Sequence, residues 1–186
     1  IFGFEYDTQD SIAFNGTQLT RALNLLNPGA NPPTWSFVVH SMGGLVTRSA
    51  VQSVTLPMAA SGNRVITLAT PHQGSPVADA VQTTSDAPTR LAVINRLSQD
   101  GFTNSDGNPC QVSVSSQGFS DLRASSSFLQ NLNDNVNNHA QVNYFTLAGN
   151  VKGSQYQTIN DLLKVSTDDG FVTIDSANFI SLGALG

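Results

Sequence analysis

The stretch "TWSFVVHSMGGLVTRSAVQ", Thr34 to Gln52, constrains the fold more than any other. A strand-length run, Trp35 to Val39, apolar but for Ser36, passes into helical spacing at Met42, Leu45, Val46 and Ala50. Only His40 and Ser41 stand between the two. A near-continuous apolar strand is expected to be covered on both faces, the habit of parallel sheets. A strand that becomes a helix without a loop must turn sharply. Such a turn needs residues without bulk, and Gly43 and Gly44 supply them on the helix side.

Three more runs read as strands: "IFGFEYD" (Ile1 to Asp7), "RVITLAT" (Arg64 to Thr70) and "QVNYFTLAGNV" (Gln141 to Val151). Between the first and the strand at Trp35, apolar residues recur at Leu19, Ala22, Leu23 and Leu26, which predicts a helix over Ala13 to Leu26. "NPGANPP" ends it, because proline cannot continue a helix. The second helix is expected over Met42 to Val54, and "SSFLQNLNDNV" reads as another helical patch. Strands alternating with helices make an α/β protein with a mostly parallel sheet flanked by helices. The site of such a sheet lies at the carboxyl ends of its strands, where Ser41 and Thr70 to Gly74 fall.

Composition excludes several alternatives. With 186 residues and 39% apolar content the chain is long enough for one domain with a core. Charged residues make up only 11%, the net charge is -5, and the two lysines, Lys152 and Lys164, and six scattered arginines form no basic cluster. Nucleic acid is therefore not an expected partner, nor is a membrane bound by charge alone. No run of 18 apolar residues is present. Cys110, the sole cysteine, excludes an intrachain disulfide and a cysteine zinc cluster. The acidic and amide residues around Asn104 to Asn108 lack the closing acid of a calcium hand. No cofactor or metal is implied. A lysine-poor surface rich in Ser, Thr and Asn leans towards an exported protein.

A serine hydroxyl is a poor nucleophile until a base takes its proton and donors stabilise the oxyanion. A sharp strand-to-helix turn lifts the hydroxyl out of the sheet and aims the first helical N–H groups at the reacting centre. At Ser41 the plainer alternative is a serine that only caps a helix.

"VHSMGG", Val39 to Gly44, resembles the G-H-S-M-G-G elbow of the α/β-hydrolase lipases and esterases, with Val39 in place of the first glycine. "LATPHQGSPVAD" is similar to that family's T-P-H-x-G-[ST]-P run. "SDLRASSSFLQNLN" resembles the segment before its next strand, and "TDDGFVTIDSA" the loop with its catalytic acid. The matches span Val38 to Ala177 in the order expected of the fold. The resemblance implies a lipase or esterase that cleaves carboxylic, lipid acyl esters through an acyl-serine. Ser41 would be the nucleophile, the Met42 backbone N–H an oxyanion donor and Asp169 the triad acid. Asp168 and Asp175 are the other acids in that loop, and "DDG" also reads as an ordinary turn. The implied partner is a small-molecule or lipid ester, with transient contact at a lipid interface. Acyl transfer and deacylation of a lipid-modified molecule use the same machinery. A binding domain that lost its triad is the alternative of another class, motivated by Val39 and by the histidines.

Of those, His40 adjoins the serine on a strand and should point to the opposite face, packed or hydrogen-bonded under the elbow. His72 is expected to organise the loop after its strand, and His139 to be a solvated loop residue. None follows Asp169, where the family places its base, so the histidine is expected beyond Gly186 and the second oxyanion donor before Ile1. On this reading residues 1–186 are a single incomplete α/β-hydrolase domain, inactive or nearly so on its own, with 73–136 as a lid-like insertion. Leu91, Val93, Ile94, Leu97 and Phe102 form an apolar stripe that fits a lid helix or core packing equally. Asp7 is read as capping the loop after its strand, and Asn15-Gly16-Thr17 is a glycosylation sequon.

Overall fold

A computed structural model describes residues 1–27, 29, 31–53, 56–99, 113–135, 142–149, 161 and 171–178. Helix α1 (Ile12–Leu26) leads to strand β1 (Ser36–His40), which runs directly into α2 (Met42–Val51). Then come β2 (Asn63–Leu68), α3 (Pro76–Thr83), α4 (Ala87–Gln99), α5 (Gln117–Asp121), α6 (Ser127–Asp134), β3 (Val142–Leu147) and α7 (Ile174–Ala177). The strands form a parallel sheet in the order β1-β2-β3. Its register aligns Val38 with Ile66 and Phe145, and His40 with Leu68 and Leu147. The expected α/β class, with its parallel sheet and flanking helices, is therefore present.

The helices form where apolar spacing and caps coincide. At the start of α1 the Ser11 hydroxyl accepts from Phe14 N, while the buried Asp121 carboxylate accepts from Ile12 N at 2.9 Å. Two otherwise unsatisfied amides thus gain acceptors, and α5 is tied to α1. The stripe of α1 packs through Leu19 and Leu23 against Leu45, Val46 and Ala50 of α2. The approach is close: a Cβ on Gly16 would overlap the Ser49 side chain. Val65 of β2, Val77 and Val81 of α3, Leu129 and Leu132 of α6 and Tyr144 of β3 complete the core. Each buried aliphatic side chain contributes about 1.5–3 kcal/mol relative to exposure.

The structure departs from the sequence reading at several points. Ile1 to Asp7 is not a strand; a strand exists only by pairing, and none of the three described strands pairs with it. Its Phe4 and Tyr6 rings stack instead, with centroids 5.9 Å apart, and pack against the core. Nor is β1 covered on both faces. Val38 is 71% exposed, and on the same face of β3, across Ile66 of β2, Phe145 and Leu147 are 51% and 55% exposed. All the described helices that touch the sheet therefore leave this apolar face open. The stripe in α4 divides: Val93 is buried and Ile94 packs on the core, while Leu91 is exposed. Phe102 and the Leu97 side chain lie outside the described residues, so a lid is not established here. Asn15 is buried in α1, its amide donating to Asp7 O, which removes it as a glycosylation site.

Candidate active site

Ser41 sits at the junction of β1 and α2 with φ 51° and ψ -130°. Its amide donates to Leu68 O at 2.9 Å, carrying the sheet ladder one step past the end of β1. Ala69 does the same on the neighbouring strand, donating to Leu147 O at 2.8 Å with φ 48°. These are the two non-glycine residues of positive φ among the described residues, and each directly follows a strand at paired ends of the sheet. An L-residue held left-handed costs about 1–2 kcal/mol. Strain of this kind persists only where the surroundings impose it, and it clusters at functional sites.

The Ser41 hydroxyl is not a helix cap. Ser11, Ser75, Ser116, Ser126 and Thr173 each open a helix with negative φ and accept a hydrogen bond from the amide three residues on. Ser41 opens α2 with positive φ and makes no such bond. Its half-buried side chain is left at the carboxyl edge of the sheet. Beside it the Met42 and Gly43 amides open the helix, where N–H groups precede the first intrahelical acceptor; the Gly44 amide donates to Ser41 O at 3.0 Å. They carry the positive end of the helix dipole. Gly44 makes the turn possible, because a Cβ there would overlap the Thr70 side chain at the end of β2.

Asp169 lies outside the described residues, as do Asp168 and His139. The described segment that begins two residues after Asp169 is fastened to the loop following β2. Ser75 Oγ donates to Phe171 O at 2.7 Å, His72 N to Ser176 O at 2.9 Å, and Ser176 Oγ to Gly74 O at 2.5 Å. Asp175 is exposed and joins this fastening through its backbone carbonyl, which accepts from Gln73 Nε2.

Residues 2–151 match the PGAP1-like alpha/beta domain. The chain belongs to that family. Its fold is similar to the mature lipase BlEst2 of Bacillus licheniformis, with TM-score 0.63 and 23% identity over 91% of this chain and 62% of that one. The propeptide form of the same lipase gives TM-score 0.62 at 22% identity, over 91% of this chain and 34% of the other. The phospholipase PlaB of Legionella pneumophila, solved with thio-NAD, gives 0.58 at 18% identity over 96% and 35%. At such identities the likeness shows the fold, an α/β-hydrolase fold of lipase type. No curated protein matches the chain. The chain spans less than two thirds of the length of these lipases.

In this PGAP1-like domain both described histidines are placed away from the proton of Ser41. His40 does not pack under the elbow as expected; it is exposed on the open sheet face, where alternation along β1 puts it with Val38. His72 is fully buried. Its Nδ1 is 3.3 Å from an Arg48 amino group, and its Nε2 is 3.1 Å from Thr67 Oγ1. A guanidinium only donates, so Nδ1 accepts and Nε2 carries the proton. Burial, reinforced by the Arg48 charge, holds this imidazole neutral well below the ordinary histidine range.

Arg48 is the residue that sequence reasoning missed. It lies two turns beyond Ser41 in α2, fully buried. It donates to Leu132 O at 3.3 Å and to Asn133 Oδ1 at 3.0 Å, at the C-terminal end of α6. Helix carbonyls at that end favour a cation. Asn133 Nδ2 in turn donates to His72 O at 3.0 Å. Burial lowers the Arg48 pKa to about 10, which leaves it charged at neutral pH. The group ties α2, the loop after β2 and α6 into one block beneath the elbow. An arginine on the apolar side of a helix that is otherwise core was the available signal.

Proposed function

We propose that this domain belongs to a serine hydrolase that cleaves carboxylic esters, with lipid acyl esters as the substrate class. Ser41 Oγ attacks the ester carbonyl carbon, the proton passes to a base, and the tetrahedral oxyanion is held by the Met42 N–H. The alcohol leaves with a proton from that base, and water then releases the acyl group from Ser41 by the same route. Asp169 orients the base. The triad order of this fold supports a histidine that follows Asp169 as the base, and His72, with both nitrogens engaged, and His40, on the open face, do not compete for that role. Substrate class rests on the likeness to a lipase and a phospholipase.

The observation that carries the reading is Ser41 itself. It is the serine at a helix start that adopts positive φ and caps nothing, while five other helix starts cap normally. The test is hydrolysis of a short-chain nitrophenyl ester by the full-length protein and by Ser41→Ala. Loss of about 10³-fold or more in kcat is expected on removing the nucleophile. Equal rates would remove Ser41 from the mechanism.

A further inference from the structure

Tyr6 lies on the segment that fails to form a strand, and its hydroxyl reaches the elbow. The oxygen stands 3.5 Å from where a Cβ on Gly43 would be, so it faces the first turn of α2. The segment is held there from both sides. Asp7 O accepts from the buried Asn15 amide at 2.8 Å, and the Tyr6 ring stacks on Phe4 and packs against the core. The hydroxyl itself has no hydrogen-bond partner among the described residues. It is a fixed donor beside two first-turn amides that also have none within the helix.

We propose that Tyr6 is a substrate-binding residue whose phenol donates a hydrogen bond to an oxygen of the bound ester beside Ser41. The inference rests on the ester-hydrolase reading and extends it to a side chain that no motif contains. Burial raises the Tyr6 pKa to about 12, so the phenol keeps its proton, and its donor role, throughout the range in which esterases are assayed. A donor desolvated in this way forms a stronger bond to a developing negative oxygen than it would in water.

The test uses the full-length protein with a nitrophenyl butyrate ester, comparing wild type, Tyr6→Phe and Ser41→Ala. Tyr6→Phe keeps the ring, its stack and its packing, and removes one hydroxyl. Rates are expressed per Ser41 titrated with a fluorophosphonate, which divides out any loss of folded enzyme. A fall of about tenfold or more in kcat/KM per titrated site is expected, carried by kcat if the bond forms chiefly in the transition state. A fall of less than about threefold overturns the Tyr6 assignment, because a merely structural hydroxyl changes the folded fraction and not the rate per site. An active Ser41→Ala sinks the underlying hydrolase reading; an inactive Ser41→Ala with an unaffected Tyr6→Phe sinks the Tyr6 inference alone.

Discussion

Ser41 holds a backbone conformation that L-residues avoid, and the fold imposes it through one ladder bond to Leu68 O and the α2 turn. Glycine would occupy the same conformation without the Cβ penalty. Ser41→Gly should therefore raise the unfolding free energy by about 1 kcal/mol in urea titrations while eliminating ester hydrolysis. A stability loss would mean that the strain is not where the φ angle puts it. His72 makes a separate residue-scale prediction. Its folded pKa is depressed, so the unfolded chain binds the additional proton once pH falls below the unfolded value of about 6.5. Its contribution is complete above that pH. It declines as pH drops towards the folded pKa, by up to about 1.4 kcal/mol per pH unit. Urea unfolding at successive pH values from neutrality downward should show this slope, and His72→Gln should flatten it.

At the scale of elements, the elbow depends on how closely α2 approaches the end of β2. A methyl on Gly44 would overlap Thr70, so Gly44→Ala should cost about 2 kcal/mol or more. Adding Thr70→Ala should return part of that cost, a coupling that a thermal-melt double-mutant cycle measures. Much of this level was legible in the sequence. Apolar periodicity gave α1, α2 and three strands, because each of those elements buries a face against a neighbour. "VHSMGG" located the elbow because small residues there are a steric requirement. Ile1 to Asp7 misled because apolar composition does not reveal whether a pairing partner exists. The double-sided covering of β1 was misjudged because the apolar run reads the same whether or not the second face is covered. Arg48 and Tyr6 are hard to place from sequence because the groups they face, at α6 and at Gly43, are distant in the chain. Asp169 was readable only as part of a loop pattern.

At the scale of the whole molecule, the sheet has one dressed face and one bare one. Val38 of β1 and Phe145 and Leu147 of β3, with the half-buried Ile66 and Leu68 of β2 between them, make an exposed apolar face of the kind that single soluble domains seldom present over a large area. The 186-residue chain should bind an apolar dye such as ANS in its folded state, and Val38→Ser with Phe145→Ser should reduce that binding without loss of helical circular dichroism. No helix among the described residues is long and apolar enough to cross a membrane. The uncapped hydroxyl of Ser41 at the edge of the sheet is the proposed nucleophile. Fluorophosphonate labelling of the full-length protein, read by peptide mass spectrometry, tests it most directly. A single stoichiometric adduct on Ser41 is expected, disappearing in Ser41→Ala together with ester turnover. An adduct on a different serine, with turnover intact in Ser41→Ala, would contradict it.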